Sequence, residues 1–220
     1  MSERITPRMQ IRMKKIRSMR RPDAEPFFHF PDLPNSERLT YQPLGYNNYM
    51  TLNELFAEDD SPFANPEFKE LERIELYVVS LLEFARYSPR RCGQDWIIHL
   101  AETGTAVGVL HLYDFTKEPF GNRDQKCSIG FAIAAPFRRK GYALESIGNL
   151  LTYIFQHFEM IQVLAYTTRD NLPSQSLLKR LCFSPNDQDY DHPDHYAFFE
   201  LKLEQFEMLL KDGEIWRQRP

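Results

Sequence analysis

A chain of 220 residues that is 42% hydrophobic and 14% aromatic can bury a sizeable core, which excludes an intrinsically disordered protein. No apolar run approaches the ~20 residues of a membrane helix and no secretion signal opens the chain, so the expected compartment is the cytoplasm. The net charge of −4 is uneven: residues 1–21 carry eight basic side chains against Glu3, a charge of +7, which leaves −11 on the remainder.

Residues 1–21 therefore read as a basic N-terminal arm, expected either as a disordered tail or as a short amphipathic helix formed on a partner. Met9, Ile11, Met13, Ile16 and Met19 supply its apolar content. Its charge would seek phosphate, which points to ribosome, nucleic-acid or anionic-lipid proximity. Pro22, Pro26, Pro31 and Pro34 break up residues 22–35, a predicted linker. The folded domain is predicted over 36–204, with a partly helical tail over 205–220. It opens with a short strand around Ser36–Leu44, a helix over 47–57 and an acidic, Pro-containing loop over 58–67. From Leu71 to Tyr87 the apolar spacing of Ile74, Tyr77, Val78, Leu81 and Ala85 predicts one helix face, closed by Ser88-Pro89.

Two strands follow, Trp96–Ala101 and Val107–Tyr113, joined by the hairpin connection Glu102-Thr103-Gly104-Thr105. A charged loop covers 114–126. Cys127–Ala135 is a strand in which Ile129, Phe131 and Ile133 alternate with Gly130, Ala132 and Ala134. Gly141–His157 is a helix with Ala143, Ile147, Leu150, Leu151 and Ile154 on one face. Strand Val163–Thr168, helix Pro173–Leu181 and strand Tyr196–Leu203 complete a mixed α/β order. Cys92, Cys127 and Cys182 are too scattered for a disulfide framework or a metal knuckle. The pair His192 and His195 reads as a solvated turn, with metal ligation the alternative; no metal is expected.

The chemistry concentrates between Ser128 and Glu145, where a strand ends, a basic loop containing one glycine follows, and a helix begins. Unpaired N–H groups and the positive end of the helix dipole make such a turn an anion site. Arg138, Arg139 and Lys140 add charge suited to a pyrophosphate. Gly141 lets the backbone approach closely, and the small Ala143 leaves the helix entry uncrowded. Neither a Walker loop nor a GxGxxG fingerprint is present.

Arg138-x-x-Gly141-x-Ala143 resembles the Q/R-x-x-G-x-G/A acetyl-CoA loop of the GNAT acetyltransferases. The wider run from Ile129-Gly130-Phe131 to Glu145, the Asn171–Phe183 segment and the opening Ser36-Glu-Arg-Leu-Thr40 resemble the RimJ/RimL-like branch, together spanning residues 36–203. The resemblance implies a twisted, mostly antiparallel sheet, splayed at a V-shaped cleft and flanked by helices. It further implies acetyl-CoA as co-substrate, main-chain amides from Arg138 through Arg139, Lys140, Gly141 and Tyr142 to Ala143 around the pyrophosphate, and an oxyanion donor near Ile133. Asn171 matches a residue that bonds the pantetheine arm, and Ser174 the serine near the thiol, where it would serve the leaving thiolate.

The resemblance thus implies an N-acetyltransferase that acts by direct attack of an amine, on a protein N-terminus or a small molecule, as a monomer or homodimer. The alternative is a non-catalytic acyl-CoA-binding relative. Ser128 stands where the branch often has a glutamate base, and Leu178 where other branches carry a tyrosine acid. Glu83, Asp114 and His111 are the replacement base candidates. Arg139 takes a position usually held by glycine, tolerable at negative φ. Cys182 takes a glycine position at a helix end, where strain is expected. Glu145 reads as a first-turn partner of the helix dipole.

Overall fold

The computed structural model describes residues 5–19, 29–83, 92–115, 125–158, 160–186 and 195–211. The predicted strands and helices appear in the predicted order, some longer and some shorter at an end by a few residues. The central meander is β2 (Cys92–Leu100), β3 (Ala106–Phe115) and β4 (Lys126–Ile133), paired antiparallel. Strand β1 (Leu39–Pro43) covers its outer edge, and Pro43 ends that edge strand. Beyond β4 lie β5 (Gln162–Thr168), β7 (Tyr196–Lys202) and a two-residue β6 (Ser184–Pro185) that the sequence did not announce, in the order β1-β2-β3-β4-β5-β7-β6.

Among the described residues only the β4–β5 pair is parallel, as its crossover through helix α4 (Tyr142–His157) requires. That pairing is short, with Lys126, Cys127 and Ser128 opposite Gln162, Val163 and Leu164. From Ile129 onward β4 keeps its ladder with β3 alone, while Ala165–Thr168 pair with β7 alone. The sheet therefore opens into a V.

Period-two alternation gives the sheet two apolar faces. Trp96 and Ile98 pack into one core with Ile147, Leu150, Leu151 and Ile154 of α4. Ile97 and Val109 pack into the other, with Leu52 and Phe56 of α2 (Met50–Phe56) and Ile74, Val78 and Val79 of α3 (Leu71–Glu83). The predicted continuation of α3 to Tyr87 lies outside the described residues. Helix α5 (Leu172–Arg180) precedes β6, and α6 (Leu203–Lys211) follows β7 and buries Phe206.

Two N-terminal expectations are corrected. Residues Pro7–Arg17 of the basic arm are neither a tail nor a helix awaiting a partner. They form α1, capped by Thr6, whose Met9, Met13 and Ile16 are buried in the second core. Spacing of four and three residues puts these three on one face, and α3 receives it. Charge pairing follows: Arg8 meets Glu72 and Glu75 at 3.3 and 3.4 Å, and Arg17 grips Glu83 in a two-pronged pair. Residues 29–35 of the predicted linker are likewise docked. Leu33 is buried, Phe30 packs edge-on against Phe115, and the carbonyls of Pro31 and Pro34 accept from Tyr153 and Asn149, each at 2.6 Å.

Candidate active site

The opening between β4 and β5 is a cleft of about 700 Å³. Ala134 donates its N–H to Val107 of β3, so by alternation the main-chain groups of Phe131 and Ile133 face away from β3 into the opening. The Ile133 carbonyl confirms that direction, because it accepts from Arg138 Nε at 2.8 Å. An extended ligand arm can therefore pair with β4 where β5 has left.

At the head of the cleft a 3-10 turn over Ala135–Phe137 leads into Arg138–Gly141 and α4. Gly141 is the N-cap, at φ 82°, a left-handed angle natural to glycine. The first helical donor to find a backbone acceptor is Glu145, bonded to the Gly141 carbonyl. Among the described residues, no backbone acceptor serves the N–H groups of residues 139–144, and with the helix dipole they form an anion cradle. Arg38 holds the cradle from beneath. It donates to the Lys140 carbonyl at 3.2 Å and lies over the Tyr142 ring at 4.9 Å. Glu145 fixes Arg38 in turn, accepting from its Nε at 2.7 Å, its amide at 2.8 Å and the Ser36 hydroxyl at 2.7 Å. Glu145 is thus a tie between the segment leading into β1 and α4 as well as a first-turn acid.

Two loop expectations need correction. Arg139 has φ 64°, not a negative angle, so a bulky side chain occupies a glycine-like backbone site. The Arg138 guanidinium is not directed to an anion: Nη2 pairs with the buried Asp59 and Nε with Ile133. Arg138 instead ties the cradle to the loop after α2, a long-range link with no sequence signal, since its partner lies 79 residues away. Lys140 places its ammonium over the Phe137 ring.

On the β5 side, Thr168, Asn171, Ser174 and Leu178 line the cleft. Asn171 is the N-cap of α5, accepting from the Ser174 amide at 3.2 Å, which leaves its side-chain amide N–H donors for a ligand. The Ser174 hydroxyl has no hydrogen-bond partner among the described residues. Thr168 Oγ1 is the one buried side-chain polar atom without a partner among them, and it lies at the same rim. An orphan polar atom beside an open strand edge marks a place where a polar ligand completes the bonding.

The base candidates separate. Glu83 is committed to Arg17 and to Tyr46, whose hydroxyl donates at 3.0 Å, and it does not line the cleft. Asp114 lines the cleft from an exposed left-handed position at φ 50°. His111 also lines it, and a cluster the sequence did not reveal surrounds it. Its Nδ1 is 2.9 Å from Asp95 Oδ2 and 3.2 Å from the Tyr77 hydroxyl, which itself bonds Asp95. Burial, reinforced by Asp95, pushes the Tyr77 hydroxyl well above its ordinary range, and burial does the same to Tyr113. The lining also includes Phe68 and Tyr166. His192 lies outside the described residues, and no metal-binding group occurs among the described residues.

A sheet split beside an anion cradle defines a binding site for an extended, phosphate-bearing ligand. The family model for the acetyltransferase (GNAT) domain matches residues 16–184, and the chain belongs to that family. It is an acetyl-CoA-dependent N-acetyltransferase. Solved structures share the fold: a GNAT acetyltransferase from Bacillus anthracis at 18% identity and TM-score 0.58, covering 77% of this chain and 98% of its own. A spermidine N-acetyltransferase SpeG chimera from Vibrio cholerae matches at 16% identity and TM-score 0.59, covering 78% and 99%. The ribosomal-protein-S5-alanine acetyltransferase from Vibrio fischeri matches at 12% identity and TM-score 0.60, covering 79% and 97%. No helix of the described residues is long and apolar enough to cross a membrane.

Proposed function

We propose that this enzyme is a RimJ/RimL-like N-acetyltransferase whose acceptor carries a single amine on an apolar body, either a protein N-terminus or a small monoamine. The observation that carries this reading is the parting of β4 and β5 beside the amides of residues 139–144. Those amides, from Arg139, Lys140, Gly141, Tyr142 and Ala143 onward, hold the donor's pyrophosphate. The Phe131 and Ile133 main chain pairs with its extended arm, and Asn171 bonds that arm from the opposite wall. An N–H at Ile133 stabilises the oxygen that gains charge during transfer. Ser174 passes a proton to the leaving thiolate. The donor supplies a thioester, and the protein holds it in line with the incoming amine.

The acceptor side supports the single-amine class. Phe63, Pro66, Phe68 and Tyr77 wall it with apolar and aromatic surface. Two described carboxylates line the cleft, Asp95 and Asp114, and Asp95 is already bonded to Tyr77 and His111. A polyamine would need several carboxylates along its length. On α1, Arg12, Lys14 and Lys15 remain exposed outside the described ion pairs, which supports approach to a phosphate-rich carrier of the acceptor, such as a ribosome. Three cysteines without a disulfide fit a reducing, cytoplasmic compartment.

The test is thiol release from acetyl-CoA across peptides with N-terminal serine or alanine, small monoamines and spermidine, with mass spectrometry of the products. Acetylated peptides or monoamines are expected. Spermidine as the preferred acceptor by kcat/KM would overturn the single-amine assignment.

A further inference from the structure

We infer that His111 is the general base of this enzyme, held by Asp95 so that Nε2 takes the proton of the incoming ammonium. The inference rests on the acetyl-transfer reading and assigns the proton acceptor within it.

The tautomer follows from counting donors. The Asp95 carboxylate is buried and, when ionised, can only accept. The Tyr77 hydroxyl donates to it, and Nδ1 of His111 lies 2.9 Å from the same Oδ2. Nδ1 must therefore carry the ring hydrogen, which leaves Nε2 with its lone pair. No described residue bonds Nε2. Ring orientation is fixed on three sides. Phe68 stacks on one face, with centroids 5.8 Å apart. Asp95 holds the Nδ1 edge. Gly130, directly opposite on β4, faces the Cβ–Cδ2 side of the ring, and a Cβ there would lie 3.3 Å from Cδ2. The glycine thus gives the ring its place beside the β4 edge, and His111 opens onto the cleft with 15% of its side chain exposed.

The titratable groups around the ring are Asp95 from β2, Tyr77 from α3, Tyr113 and Asp114 from its own strand and Tyr166 from β5, with Glu67 acting on Tyr77 from the turn before α3. Burial keeps Tyr77 and Tyr113 protonated, so neither hydroxyl competes with the His111 Nε2 lone pair for the ammonium proton.

The step balances. Nε2 takes one proton from R–NH3+, and the freed lone pair forms a C–N bond to the thioester carbonyl carbon as the C–S bond breaks. A second N–H proton reaches the sulfur by way of the Ser174 hydroxyl, which gives one proton and takes one, and the third remains on the amide nitrogen. His111 then returns its proton to solvent.

The experiment compares wild type and His111→Gln, with acetyl-CoA as donor and two acceptors: a short peptide beginning with serine, and trifluoroethylamine, whose ammonium form is already largely dissociated at neutral pH. With the peptide, kcat is expected to fall on the order of 10²-fold or more, and the limb of the pH profile that reports the general base to disappear. With trifluoroethylamine the loss is expected to be much smaller. Calorimetric CoA affinity and the melting curve are expected to stay near wild type. In the unmutated protein, nitrogen-15 NMR of the imidazole is expected to show hydrogen on Nδ1, a readout that survives even if His111→Gln fails to fold. A folded variant with wild-type turnover and pH profile, an equal defect with both amines, or hydrogen on Nε2 would each overturn the assignment. Wild-type protein that binds CoA yet releases no thiol with any amine would overturn acetyl transfer itself, a failure distinguishable because it silences the unmutated enzyme.

Discussion

Three side chains occupy backbone angles that favour glycine: Asp114 at the cleft, and Cys182 and Arg139, whose bearings on function are opposite. Cys182 closes α5 at φ 59°, where glycine is the usual residue of a helix end. Cys182→Gly should stabilise the protein by about 1 kcal/mol, read as a raised urea midpoint with unchanged slope. Arg139, at φ 64°, lies within the cradle, so the same relief there is coupled to how the loop amides point. Gly141, at φ 82°, tolerates neither a β-branched side chain nor the bulk it would bring to the anion. Gly141→Val should weaken CoA binding at least tenfold by calorimetry, given ~1–3 kcal/mol of backbone strain alone. The cradle was legible because its residues are consecutive. The Asp95–His111–Tyr77 cluster was not: its members come from three elements, and His111 stood as a base candidate with no visible partner. Arg138 shows the converse, since a basic residue beside a phosphate loop invites a charge role that Asp59 has already taken.

Among the elements, α1 was the least legible. Eight basic residues in the first 21 dominate the segment that holds it, and the three-residue inward stripe of Met9, Met13 and Ile16 is too narrow to outweigh them. Its contribution is both apolar and electrostatic. Deleting residues 1–19 would expose the α3 surface it covers and leave Glu83, 5% exposed, without Arg17. Each large buried apolar side chain lost with α1 costs ~2 kcal/mol or more, so the truncated enzyme should melt well below the full chain even though the deletion stops short of the cleft. Helix α4 was legible throughout, because its buried stripe follows a single 3.6-residue period. What its sequence concealed was the anchoring of Glu145 to Ser36 and Arg38. Glu145→Ala should cost ~2 kcal/mol from the lost charge-assisted bonds, and should also weaken CoA binding by loosening the Arg38 hold on the Lys140 carbonyl.

For the whole molecule, the order of strands and helices could be read from alternation and turn residues, but the place where β4 and β5 part could not. Nothing in the composition of Ile129–Ile133 marks it as unpaired; only the resemblance implied a V. Stability should also depend on pH at the molecular scale. The folded value of Tyr41 is pushed up to about 12 by burial, against 10.0 in the unfolded chain. Folded and unfolded forms are both protonated below pH 10, so no stability is lost there; between 10 and 12 the unfolded chain ionises first and stability falls. Burial likewise raises Tyr77, Tyr113 and Tyr153, adding to the alkaline loss. On the acid side burial lowers His99, so the unfolded chain takes up its proton first and stability declines as pH drops below about 6.5. Denaturant melts across pH should therefore show a plateau bounded by these two limbs.

Among the described residues, only three paired positions of β4 and β5 join the β1–β4 half of the sheet to the β5–β7 half. So short a seam leaves the halves freer to swing than antiparallel neighbours with full ladders. A guest bonded to the bare margin of β4 and to Asn171 across the gap would act as mortar between them. Hydrogen exchange at Phe131 and Ile133 should then slow on CoA addition, and the melting temperature should climb with the logarithm of its concentration.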